Sequence, residues 1–438
     1  MNASSQFVVG TRITAIIGIS DMKKHTLTRS GAMILLMAAL LSQQAEAESD
    51  WPQWRGINRD GHSSEEGLLD TWPESGPEKI WIFENAGKGY SSPAIVDGKY
   101  YTLGTRGDSS ILLCLDANTG EEQWASEIGG ILGNGWGDGP RGNPAVDGEF
   151  VYGLTGEGIA FAASVTDGSI KWKTSMTDLG GSAPNWGFSE SVLVDGDKVL
   201  VTPGGDKGTV AALNKSTGTV IWQSKDITEP AHYSSVVAAE INGSKQYIQR
   251  NEKSIFGLNP ENGALLWHDN DFPGRTAVIP TPVVFGNRIF VTAGYGAGCK
   301  AIEIEPGNKV KEIYSNRTMK NHHGGVVRLG GHVFGYSDGV GWLCQNLADG
   351  EEVWSERRAL GKGAVALADG KLFCVDEAKG TVAMLAASTE GFKQLGSFTL
   401  DPQSDIRSSR GKIWTHPVIV NGKLYLRDQN LIYCYKVK

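Results

Sequence analysis

His232, His322, His323 and His416 lie in Gly-, Pro- and Ser-rich segments, together with Arg141, Trp186 and Trp414, and Lys362 stands in the short loop LGKGAV (360–365). The segments read GGILGNGWGDGPRGNP (129–144), LGGSAPNWGFSES (179–191), TEPAHYSS (228–235), FPGRTAVIPTP (272–282), NRTMKNHHGG (316–325) and PQSDIRSSRGKIWTHP (402–417). Several exceed what a tight turn needs, and binding residues concentrate on such loops. Arg141 and Lys362 suit carboxylates, and a tryptophan face suits a flat ring. Lined up at the start of each unit's first strand, the loops offer Tyr90, Ser91, Arg141, Asn143, Trp186, Ser189, Glu190, His232, Tyr233, Thr281, His322, His323, Lys362, Trp414 and His416. The chemistry such a ring supports is the binding of a planar anionic molecule. The competing reading is a wet polar channel mouth without a ligand. The histidines have no metal-ligand spacing, and no metal site is expected.

The elements that carry these loops repeat. LLCLDANTGEEQW (112–124) recurs as VAALNKSTGTVIW (210–222), IFGLNPENGALLW (255–267) and WLCQNLADGEEVW (342–354), with a weaker copy AFAASVTDGSIKW (160–172). A second signature is a glycine turn between alternating apolar runs, as in AIVDGKYY (94–101) and VIVNGKLYL (418–426), and it occurs eight times. Asp-Gly and Asn-Gly there predict type I′ hairpins. Each unit reads as four strands. The fourth ends at Trp124, Trp172, Trp222, Trp267, Tyr314, Trp354 and about Leu395. A column of small residues precedes each second turn: Cys114, Ala162, Ala212, Gly257, Ala301, Cys344, Leu385 and Cys434.

The last unit stops after its third strand, and a spare strand, Lys79-Ile80-Trp81-Ile82-Phe83, stands at the other end of the chain. The pattern predicts an all-β, eight-bladed propeller of four-stranded blades, residues 78–438, closed by strand 79–83 in the last blade. The repeated tryptophans are expected to pack between blades. The five cysteines, which show no C-x-x-C pair, are expected as buried free thiols.

Residues 1–47 read as an extension and secretory signal peptide. Translation starting at Met22 gives a basic stretch, the apolar run AMILLMAALL and a cleavage site near Ala47. Residues 48–77 form a lead segment. Removing 1–47 takes four of 41 basic and two of 49 acidic residues, leaving a net charge of about −10. That excludes nucleic acid as a natural partner. No run is long enough to span a membrane as a helix, and a ring closed on itself is expected to be a monomer. The chain reads as periplasmic or secreted.

The blade pattern (D/N)-x-x-(T)-G-x-x-x-W, eight to a ring, resembles the PQQ-binding-like propeller superfamily, which includes quinoprotein alcohol dehydrogenases and the non-enzymatic assembly factor BamB. The opening Asp50-Trp51-Pro52-Gln53-Trp54-Arg55-Gly56, followed by Asn58-Arg59-Asp60-Gly61, is similar to a group of secreted bacterial PQQ-like repeat proteins. The resemblance implies one of two functions. One is a binding or scaffolding module that offers its loop face to a protein, peptide or polysaccharide. The other is a PQQ- and calcium-dependent dehydrogenase of the alcohol or polyvinyl-alcohol type. The cofactor residues would be Arg141, Asn143, Trp186, Glu190, His232, Lys362 and Trp414. Glu190 and Asn143 would face the cation, and Asp138 or Asp405 would be the base. The adjacent-cysteine pair of the classical dehydrogenases is missing, as is a haem-attachment C-x-x-C-H.

Overall fold

The computed structural model describes residues 50–438. The expected leader, its start at Met22 and its cleavage near Ala47 lie outside the described residues. The alternating runs pair as antiparallel hairpins, and the hairpins form eight sheets in a ring. Blade 1 comprises Ala94–Val96, Lys99–Arg106, Ser109–Asp116 and Glu122–Gly130. Six more blades repeat that order, the seventh ending at Gln394–Thr399. Blade 8 has Val418–Val420, Lys423–Asp428 and Leu431–Lys436, and takes Lys79–Phe83 as its fourth strand, with Trp81 opposite Cys434. The N-terminal closure expected from the split repeat is present.

The first hairpins use two turn chemistries where one was expected. Asp97-Gly98, Asn242-Gly243, Asp369-Gly370 and Asn421-Gly422 have positive φ at both central residues, as a type I′ turn requires. At Gly148, Gly196, Gly286 and Gly330 the glycine comes first and alone has positive φ, so Asp147 and Asp195 end their strands. Those turns follow the type II′ pattern.

The small column and the tryptophans explain each other. Cys114 sits opposite Trp124, Ala212 opposite Trp222, and Cys344 opposite Trp354, so a larger residue would displace the indole. Trp81, Trp124, Trp172 and Trp222 then lean on the turn glycine of the next blade. A Cβ on Gly263 would lie 2.4 Å from Trp222. The indole N–H donates to that same turn, from Trp172 to the Lys215 carbonyl (2.8 Å) and from Trp222 to the Pro260 carbonyl (3.0 Å). All five cysteines are buried and free.

Two blades depart from this. Blade 7 has a turn two residues longer, so Met384 pairs with Gly396, and the expected positions Leu385 and Leu395 each shift by one. Trp72 of the lead segment fills the space, with its Cβ 2.6 Å from where a Cβ on Gly396 would stand and its ring 5.5 Å from Phe398. Between blades 4 and 5, Trp267 turns to Gln246 of its own blade (2.7 Å). There the buried pair Lys300–Asp269 (2.8 Å) bridges the sheets.

The lead segment is part of the ring. Trp51 bridges to Ile95 of blade 1, and the Pro52 carbonyl accepts from Val146 N of blade 2. Arg59 donates to the Ser191 and Val192 carbonyls entering blade 3 (2.8 and 3.0 Å). Trp54 donates to Thr281 Oγ1 before blade 5 (2.9 Å), and Arg55 to the Val326 carbonyl of blade 6. His62–Ser63 pairs with the first strand of blade 7, and Glu65 accepts from Asn421 N of blade 8 (2.6 Å). Residues 51–65 thus cross the central channel and plug it. Burial pushes Arg59 down to about 9, and carbonyl acceptors make its charge tolerable.

Candidate functional site

In a four-stranded antiparallel blade, the connections entering the first strand and those joining the second to the third lie on one face. On that face the loops enclose a cavity of about 510 Å³, and Trp54 of the plug is among its lining residues. The channel is therefore a cup with one mouth.

One wall is a continuous stack. Arg141 lies over Tyr90 (4.9 Å), and Tyr90 packs on Trp414 (5.0 Å). Trp414 stacks on His323 (4.7 Å, 29°), His323 on His322 (3.6 Å), and His322 on the edge of Tyr295 (4.4 Å). Across the cup Trp186 meets Tyr233 edge-on, and Trp54 meets His416 at 4.6 Å. Lys362 bridges Asp338 (2.7 Å) and His322 Nδ1 (2.9 Å). The lysine donates there, so His322 carries its proton on Nε2. Arg141 donates from Nε to the Trp186 carbonyl and from Nη2 to the Gly137 carbonyl.

Burial makes the imidazoles neutral. It pushes His322 down to about 2, with His323 and Lys362 adding to the effect, and His323 and His416 to about 3. The same burial raises Glu377 to about 7. Cations at the cavity (Arg141, Lys362, Arg410, Lys412) outnumber its acids (Asp338, Glu377), although the chain as a whole is acidic. Such a basic recess draws anions.

Five of the seven expected cofactor residues, Arg141, Asn143, Trp186, Lys362 and Trp414, line this cavity. Asn143 also has a structural task. His416 N donates to Ser92 Oγ, Ser92 N to Asn143 Oδ1, Asn143 N to Ser191 Oγ, and Ser191 N to Ser235 Oγ, all within 3.0 Å. This girdle ties the entries of five blades. Glu190 and His232 do not line the cavity. Both Glu190 oxygens accept from Thr202, beside Arg59, and His232 Nδ1 accepts from Val278 N (3.0 Å). Asp138 is paired with Lys88, and Asp405 is exposed away from the cavity. Asp338, Glu377 and Tyr295 were missed because they sit on turns between second and third strands. Those Gly-rich turns face the same mouth, which was the available signal. Arg410 and Lys412 lay within a quoted loop but off the aligned position.

A flat, carboxylated ring suits the aromatic wall and the surplus cations. The catalytic cation of a quinoprotein does not suit these residues. Among the described residues no three His, Cys, Asp or Glu side chains are grouped to hold a metal ion, and the oxygens of Glu190 are committed.

The profile of the family described as "Outer membrane protein assembly factor BamB" matches residues 83–174 and 107–356. The chain belongs to that family. BamB of Escherichia coli (strain K12) is 31% identical over 106 residues, 23% of this chain and 25% of that protein. The serine/threonine-protein kinase AfsK of Streptomyces griseus is 30% identical over 161 residues, 36% of this chain and 19% of the kinase. The chain thus spans about a quarter or less of the length of these curated relatives. Among solved structures, BamB from Moraxella catarrhalis superposes with a TM-score of 0.60, covering 82% of this chain and 99% of that one at 14% identity. The quinohemoprotein alcohol dehydrogenase from Comamonas testosteroni also gives 0.60, covering 93% and 84% at 11% identity. Identities this low establish the shared propeller fold alone.

Proposed function

We propose that this member of the BamB family is an exported binding module whose loop face grips an acidic protein, peptide or polysaccharide partner through the plugged cup. The observation that carries the reading is the cup itself: closed below by residues 51–65, walled by aromatic rings, and basic on an acidic chain. Trp136, 43% exposed with Arg410 over its ring, stands at the rim as a contact for whatever enters.

A second reading, a PQQ-dependent dehydrogenase, is favoured by the Tyr90–Trp414–His323 wall, which matches a planar carboxylated cofactor. Arg141, Trp414 and Lys412 would hold its ring and carboxylates, and the quinone would supply the oxidising chemistry. The lack of a grouped metal cradle sets this reading second. Calorimetric titration of PQQ into the purified chain, with and without calcium, separates the two. Calcium-dependent binding at one site, with turnover of an alcohol, would overturn the binding-module reading. No calcium dependence and no turnover are expected.

A further inference from the structure

Two atoms face each other behind the cavity wall with no hydrogen-bond partner: His323 Nδ1 and Glu377 Oε2, 3.6 Å apart and sealed from solvent. The imidazole is clamped between Trp414 and His322, which fixes its plane. Both residues line the cup, and His323 Nε2 and Glu377 Oε1 are not among the sealed atoms. At 3.6 Å the two atoms do not hydrogen-bond, but a carboxylate behind Nδ1 favours the tautomer with the proton there and Nε2 as the basic nitrogen.

The surroundings decide what this pair does. Lys362 and Lys412 favour ionisation of Glu377, while Asp338 and Asp376 oppose it. The Tyr295 and Tyr336 hydroxyls also feel its charge. Lys362 is committed to Asp338 and His322. Among the described residues Lys412 and Arg410 pair with no acid, and Arg141 gives Nε and Nη2 to carbonyls. Unspent positive groups therefore border a carboxyl–imidazole pair inside an aromatic cup.

We propose that the cup takes a carboxylated ring compound, and that the Glu377–His323 pair takes up one proton as it binds. This rests on the loop face being the binding site. The ring lies on the Trp414 wall, and Lys412, Arg410 and Arg141 Nη1 receive its carboxylates. The arriving negative charge opposes ionisation of Glu377, so the pair keeps or gains a proton. The sign follows from burial having already raised Glu377 to about 7. Below that pH the free cup is protonated, and affinity is flat. Above it, binding must bring a proton, and affinity falls about tenfold per pH unit.

A quinone cofactor and a uronate-bearing sugar chain share this chemistry, so the probes are PQQ and trigalacturonate. Each is titrated into the full chain by calorimetry at about pH 7.5 in phosphate and in Tris, whose ionisation heats differ. The expected result is uptake of about one proton with one probe, which identifies the source, and none in Glu377→Gln, whose affinity no longer depends on pH. In parallel, nitrogen NMR of histidine-labelled protein should show His323 as the Nδ1–H tautomer without ligand, and Glu377→Gln should disturb it. Binding without proton uptake, uptake that survives Glu377→Gln, or an Nε2–H tautomer overturns the proposal and leaves the binding face standing. Failure of both probes to bind overturns the carboxylate site and the cup-centred reading together, whatever the tautomer.

Discussion

At the scale of the residue, burial sets the protonation states. The folded pKa values of His322, His323 and His416 lie far below the ordinary 6.5, so the unfolded chain binds more protons at acid pH. Each therefore withdraws stability as pH falls below about 6.5, at about 1.4 kcal/mol per unit. Glu190 and Glu377 act oppositely. Their folded values are raised from 4.5 to about 7, so they add stability as pH falls through that window and nothing further below it. The melting temperature should then fall most steeply below about pH 4.5, where the histidines act unopposed. His416→Gln should make that acid limb shallower by about one proton. An identical limb in both proteins would mean that His416 is not buried neutral. Trp222 tests the same environment without charge. Trp222→Ala removes a ring 8% exposed, together with its bond to the Pro260 carbonyl, and should cost about 3–5 kcal/mol in denaturant unfolding. A near-neutral result would mean the indole does not latch neighbouring blades.

At the scale of the element, the turn is the unit that locks each blade to its neighbour. A glycine supplies positive φ and, by lacking Cβ, leaves room for the previous blade's indole. Blade 7 has lost that aromatic and borrows Trp72. Trp72→Ala should therefore speed amide exchange along Gln394–Thr399 and leave blades 2 to 4 unchanged; uniform acceleration would contradict a local role. Strand order, hairpins and closing strand were legible because alternation and turn glycines are local signals. The two extra residues in the blade 7 turn were not, since they show only against the partner strand. The plug was illegible too. Arg55 and Arg59 look like solvated charges in sequence, and only the assembled ring presents the carbonyls that bury them. In the site, Arg141, Trp186, Lys362 and Trp414 were found by their loop position. Glu190 looked equivalent but is bound by Thr202, a partner twelve residues on that periodicity does not expose.

At the scale of the molecule, the chain closes twice. Lys79–Phe83 completes blade 8, and residues 51–65 fill the channel. Both closures use N-terminal residues against elements more than 300 positions away in blades 7 and 8, so stability depends on contacts formed after most of the chain exists. The strand closure has the clearer consequence. Without it, Leu431–Lys436 becomes an open edge whose amide and carbonyl groups lose their partners, and Trp81 no longer covers Gly120 of blade 1. Deleting residues 78–84 removes this strand and leaves the plug's own bonds to the ring in place. The deletion should replace one cooperative unfolding transition by a broader one at a lower temperature, and exposed strand edges should make the protein associate. Calorimetry with light scattering checks both. A single transition at the original temperature would show that the ring holds without its N-terminal strand, and that blade-to-blade packing through the tryptophan latches suffices.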